Sequence, residues 1–220
     1  MCGRYRLSRA DLLAAALDAV PPFEEFSEKG RTLRMEFKPA DYVPIVHLEG
    51  TRRVIDVAYW GFIPSWAGGD AKVKPINAKS ETVAKSGMFR SAFKSYRCLI
   101  PADGFFEPKG PKGMKHRQQF YFQRPDHGMF AFAGLWSYRD DSQTCVLLTT
   151  TPNGVVRPIH DRMPVILSPS DYGKWLDPKT EPDELQRLLR PSWDDELVVQ
   201  PEGKLKTNEP TLFDPPSNAT

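Results

Sequence analysis

The chain has 220 residues, 40% of them hydrophobic, and 30 Lys and Arg against 28 Asp and Glu leave a formal net charge of +2. That length and apolar content suit one domain with a real core, and no run approaches the roughly 20 apolar residues of a membrane span. The three cysteines (Cys2, Cys98 and Cys145) are odd in number and lack CxxC spacing, which argues against a disulfide framework and a structural zinc site.

In chain order, Met1-Cys2-Gly3-Arg4 comes first, without the basic region and apolar run of a secretory signal. The expectation is a soluble protein of a reducing compartment. If Met1 is removed, Cys2 carries a free α-amine and a thiol on adjacent carbons. Such a 1,2-aminothiol condenses with an aldehyde through nitrogen and closes through sulfur to a thiazolidine ring. An α-amine near pKa ~7.8 is about 14% neutral at pH 7, roughly 300-fold more than a lysine. The plainer reading of Cys2 is a leftover beside an initiator Met.

Ser8 caps an expected helix through Val20, stopped by Pro21-Pro22. Residues 23–42 look irregular. Val43–Leu48 and Arg53–Trp60 read as strands, and 61–75 as a loop holding Trp66. Glu81–Met88 reads as a short helix. Arg97–Pro101, Gln119–Gln123, Met129–Trp136, Thr144–Thr150 and Pro164–Leu167 are strand-like, rich in aromatic and β-branched residues. Helices are expected from Ser168 to Trp175 and from Pro182 to Leu189. A Pro-rich polar tail follows Lys204, and the expected organisation is one domain over 1–204 with a tail over 205–220. Strands dominate without regular strand-helix alternation, and 21 prolines fit many short strands and loops. The fold class expected is α+β, with a strongly curved or barrel-like, mainly antiparallel sheet and peripheral helices.

Charge is uneven along the chain. Residues 71–98 hold seven Lys or Arg and one acid, while 177–220 hold ten acids and five bases. A basic middle suits a polyanion partner; a solvated face that binds nothing is the other reading. Four segments place polar residues beside strand ends or turns: Cys2 to Tyr5, Ile76 to Thr82, Ala102 to Glu107, and Ile159 to Pro164.

Together with Trp60-Gly61, these motifs make the chain similar to the SOS-response-associated peptidase family. They are Met-Cys-Gly-Arg at the start, Asn-Ala-x-x-Glu-Thr from Asn77, Asp-Gly-Phe-x-Glu from Asp103 and His-Asp-Arg-Met-Pro from His160. The resemblance covers Met1 to about Trp175. It implies a sensor of abasic sites in single-stranded DNA that removes its own Met1 and crosslinks through Cys2 to the ring-opened sugar aldehyde. Apart from the resemblance, a monomer without metal or other cofactor is expected, in the cytoplasm, on the nucleoid in a bacterium. By motif position Cys2 is the nucleophile, with Asn77, Glu107 and His160 around it. Glu107 would move protons at the amine and His160 at the sugar oxygen, while Asn77 orients. Arg4, Lys79 and Arg162 would hold phosphates, Trp60 and Trp66 would stack bases, and Thr149 would bond a phosphate. Plainer readings stand beside these: a structural His160, a Glu107 paired with lysine, Asn77 as a turn residue and Trp60 as core. Cys98 and Cys145 read as core thiols, and His47, His116 and His127 as surface or structural.

The chain departs from the family pattern at Lys79 for Arg, at Gly87, Pro108 and Ala67, and at Met35-Glu36 for a Tyr-Asn pair. The strand motif after Val198 is degenerate. These changes leave the expected chemistry and weaken the expected grip on DNA. Two other functions use the same residues. One is an N-terminal-nucleophile thiol peptidase or amidase, and the other is a noncovalent single-strand binding module.

Overall fold

The computed structural model describes residues 2–8, 15, 17–19, 36–67, 71–110, 117–139 and 142–202. Most of the helix expected from Ser8 to Val20, His116 and the tail after Lys204 lie outside them. Thirteen strands are described: β1 Tyr5–Arg6, β2 Glu36–Phe37, β3 Tyr42–Glu49, β4 Arg52–Trp60, β5 Asn77–Lys79, β6 Arg97–Ala102, β7 Gly104–Pro108, β8 Gln119–Gln123, β9 Phe130–Arg139, β10 Ser142–Thr150, β11 Met163–Pro164, β12 Ile166–Leu167 and β13 Val198–Pro201. Three α-helices are described from end to end: α1 Arg90–Ser95, α2 Tyr172–Leu176 and α3 Pro182–Leu188.

The long strands close a barrel. Starting from β10, the ring runs through β4, β3, β6 and β9 and returns to β10. Only the β10–β4 contact in this ring is parallel; the other four are antiparallel. Val43 to His47 and Thr144 to Thr150 are buried on both faces, as expected of walls filled inside and covered outside. The second half of β10 turns away from β4 and pairs with β5 on one side and β11 on the other. This divergence opens one end of the barrel, and the short strands that fill it carry two of the motifs.

A second, antiparallel sheet of five strands lies in the order β13, β8, β7, β1, β2. Strands β6 and β7 are one run broken at Asp103, so the barrel wall continues into this sheet. Gly104, the first residue past the break, is required there. A Cβ at this position would stand 2.2 Å from the Tyr121 hydroxyl oxygen. The two sheets share an aromatic core. Tyr5 is fully buried with ring centroids 5.1 Å from Phe37, 5.3 Å from Trp60 and 5.8 Å from Phe132.

Several expectations change. Residues 81–88 form isolated turns, closed by Val83 N–H to Lys79 O and Ser86 N–H to Thr82 O at 3.0 Å each, and regular helix begins only at Arg90, after Gly87. Arg97, counted above with the basic stretch, is 4% exposed. Its guanidinium donates to the carbonyls of Phe93, Lys94, Trp175 and Asp177 at 2.6–2.7 Å, tying together the ends of α1 and α2. The degenerate stretch after Val198 still pairs with β8 over four residues. Cys98 and Cys145 are buried core thiols, and His47 is buried beside Asp56. No helix among the described residues is long and apolar enough to cross a membrane.

Candidate active site

Strand β1 pins the N-terminal segment. Tyr5 anchors it in the core, and the pairing with β7 sets the register. Phe106 N–H donates to Arg4 O and Asp103 N–H to Arg6 O, both at 2.9 Å. Beyond β1, the Ser8 N–H and hydroxyl both donate to the Asp103 carboxylate. These bonds leave Cys2 little choice of position. Asn77, on β5, donates from Nδ2 to Cys2 O at 2.9 Å, so the Asn-Ala motif holds the chain start directly. Its Oδ1 is a buried acceptor with no partner among the described residues, available to a bound group.

Glu107 is completely buried near the end of β7. Burial pushes its carboxyl up to about 7, against the pull of the positive terminal ammonium. His160 Nε2 lies 3.6 Å from Glu107 Oε2. The Arg162 N–H donates to His160 Nδ1 at 3.0 Å, which places the neutral ring's proton on Nε2, facing Glu107. Asp161 Oδ1, 2.9 Å from the same Nδ1, becomes its acceptor when the ring takes a second proton. The carboxyl and imidazole therefore face each other as a pair able to hold or pass one proton.

The sulfur is out of contact with solvent. Cys2 is fully buried, and its thiol is pushed well up, first by burial and then by the negative charge of Glu107. Sγ–H is directed to Arg4 O at 3.6 Å. With Met1 attached, the Cys2 nitrogen is an amide and the sulfur a neutral thiol.

Known proteins share this arrangement of sequence and fold. The abasic site processing protein YoqW of Bacillus subtilis is 35% identical, with 97% of this chain and 99% of that protein aligned. The abasic site processing protein YedK of Escherichia coli is 29% identical over 80% of this chain and 79% of its own length. A crystal structure of a Bacteroides thetaiotaomicron protein superposes with a TM-score of 0.83 at 22% identity, covering 92% of this chain and 93% of that one. The profile of the SOS response associated peptidase (SRAP) family matches residues 1–204. The chain belongs to the SRAP family.

Four SRAP motifs converge here, but the residues expected to grip DNA do not all behave as the sequence suggested. Trp60 is 1% exposed, its ring against Tyr5 and its Nε1–H bonded to Ile76 O at 2.9 Å, so neither face can receive a base. The Trp-Gly pair is a packing device: a Cβ on Gly61 would lie 2.6 Å from the Tyr59 ring. Thr149 is fully buried with its hydroxyl donating to Ala78 O at 3.4 Å, out of reach of a phosphate. Arg162 spends its charge on Glu81 in a two-pronged contact at 2.6 and 2.9 Å and donates to Thr149 O at 2.6 Å. That contact also depresses the Glu81 carboxyl below its ordinary value. Arg4 is paired with Glu36 and Glu202. Lys79 and Trp66 remain exposed, Trp66 by 63%.

Sequence reasoning missed three contributors. Glu81 lies inside a recognised motif, yet nothing in the sequence gives it a task. Asp161 stands out in the sequence only as a neighbour of His160. Glu202 lies in a stretch read as degenerate, and only the pairing of β13 with β8 brings it to Arg4.

Proposed function

We propose that this SRAP protein processes abasic sites in single-stranded DNA, capturing the exposed sugar aldehyde on Cys2 once Met1 is gone. The observation that carries the reading is the Asn77 amide holding the Cys2 backbone beside a buried, near-neutral Glu107 that faces His160. The names of the YoqW and YedK relatives support the substrate class.

The chemistry follows from those groups. Loss of Met1 turns the Cys2 amide into an α-amine. Glu107 takes a proton from the ammonium, and the amine nitrogen attacks C1′ of the ring-opened sugar to give a carbinolamine. His160 protonates the sugar oxygen during ring opening. Glu107 returns its proton to the departing hydroxyl, water leaves and a C=N bond forms. Sγ then adds to that carbon and its proton moves to nitrogen, closing the thiazolidine. One water is released, and the condensation needs neither oxidant nor reductant. Asn77 orients the amine throughout. Excision of Met1 has to come first in this scheme, because only then does Cys2 carry a free amine; the same Cys2, Glu107 and His160 set suits that hydrolysis, with Cys2 as nucleophile.

The test is a denaturing gel and intact-mass measurement. Protein lacking Met1, mixed with a single-stranded oligonucleotide carrying one abasic site, is expected to gain the mass of that oligonucleotide minus one water. Cys2→Ala is expected to yield no such product. A shift that dissolves under denaturation points to the noncovalent module instead. Turnover of peptides without any DNA adduct points to the peptidase. The active unit is residues 1–204, with 205–220 an appendage, so a chain ending at residue 204 is expected to keep the adduct.

A further inference from the structure

Arg4 follows Cys2 by two residues, and its guanidinium lies over the Phe106 ring with Cζ 3.8 Å from the centroid. A guanidinium stacked on a ring presents its N–H edge sideways, in a geometry that suits carboxylate and phosphate alike. Here that edge is already taken. The Glu202 carboxylate bonds Nη2, and Glu36 Oε2 lies 3.7 Å from Nη1. The two acids come from the two edges of the five-stranded sheet: Glu36 lies on β2, and Glu202 follows β13.

Both acids stand on backbone that is held in place. Glu202 is fixed through its backbone, with N–H donated to Gln119 O at 2.8 Å and its carbonyl accepting from Gln118 Nε2 at 3.2 Å. Glu36 is held by pairing with Arg6. All three charged side chains keep contact with solvent, 22% for Arg4, 34% for Glu36 and 20% for Glu202, so an incoming anion can reach and exchange with them.

We propose that Glu36 and Glu202 form a carboxylate clasp that competes with a DNA backbone phosphate for Arg4, and thereby set how tightly a strand is gripped beside Cys2. The proposal rests on the DNA reading above. A strand entering this subsite must displace at least one acid from the guanidinium and then lie beside the displaced negative charge. Strand affinity is therefore held down at a residue two positions from Cys2, without any change to Cys2, Asn77, Glu107 or His160. The clasp makes Glu36 and Glu202 specificity-determining residues that penalise a phosphate at this position.

The measurement is fluorescence anisotropy with an intact single-stranded oligonucleotide, which has no aldehyde and so reports binding alone. Glu202→Gln and Glu36→Gln are each expected to tighten binding on the order of fivefold. Each is expected to steepen the slope of log affinity against log salt by about 0.7, the signature of one regained phosphate contact. In an Arg4→Ala background both substitutions should lose their effect. Glu202→Asp, with a shorter reach, should fall between wild type and Glu202→Gln. Urea midpoints for every variant establish that folding is retained. Tightening that persists without Arg4 would mean plain charge removal and would overturn the clasp. Unchanged or weaker binding in folded Glu→Gln variants would overturn it as well. If wild type and variants all leave the oligonucleotide unbound, the DNA reading falls and the clasp with it.

Discussion

Glu107 is a carboxyl held completely out of contact with solvent. Its carboxyl titrates near 7 in the folded chain against an ordinary value of 4.5. Between those values the folded protein keeps a proton that the unfolded chain has released. The stability this supplies is complete below about pH 4.5 and is lost as pH rises through about 7, a change on the order of 3 kcal/mol. Glu107→Gln cannot ionise. It is expected to match wild type at pH 4 and to exceed it at pH 8 by up to that amount, read from urea midpoints at the two values. The same variant is expected to abolish rapid adduct formation, because the amide can neither take nor return a proton. Asn77→Ala removes the bond to Cys2 O and is expected to slow single-turnover crosslinking about tenfold, with little loss of DNA affinity.

At the scale of elements, the site is two turns tied together. The turn that follows β5 and the His160 segment meet through Arg162, which reaches Glu81 on one side and Thr149 O on the other. Helix α3 braces the first turn, with Gln186 Nε2 donating to Ser80 O at 3.0 Å. Glu81→Gln loses the charged contact and is expected to cost only about 1 kcal/mol of stability, since Glu81 is 44% exposed. Its larger effect falls on chemistry: crosslinking at saturating DNA should slow severalfold, and Glu81→Asp should recover part of the rate. If Glu81→Gln leaves that rate at the wild-type level, Arg162 positions nothing.

This scale also separates what could be read in the sequence from what could not. The long strands β3, β4, β9 and β10 were legible because runs of aromatic and β-branched residues can satisfy themselves only in a sheet. The two- and three-residue strands β1, β2 and β5 were not, since pairing with distant segments creates them and no local pattern encodes it. Cys2, Asn77, Glu107 and His160 could be singled out because each lies in a compact motif. The fates of Trp60, Thr149 and Arg162 could not be read, because burial and ion pairing are decided by which strand lies opposite. An arginine has the same letter whether it faces a phosphate or Glu81.

At the scale of the molecule, one buried cation holds the helical layer to the barrel. Arg97 sits on β6 and satisfies four carbonyls at the ends of α1 and α2, and Trp175 Nε1 donates to Cys98 O at 2.9 Å alongside it. Arg97→Met keeps the aliphatic stem but strands those acceptors in a dry environment. It is expected to lower stability by about 3 kcal/mol in urea unfolding, while the Cys2 corner in the surviving folded protein still reacts.

The passage of β6 into β7 through the single residue Asp103 has a dynamic consequence. The ribbon that closes the barrel wall is the same ribbon that carries Glu107, so the reactive corner has no hinge on that side and cannot fray ahead of the wall. Amide hydrogens of Leu99 and Phe106, seven positions apart in chain number, should exchange with solvent in a single cooperative opening. A carboxyl set in such a frame keeps its raised pKa for as long as the barrel stands and loses it in the same event that dissolves the fold.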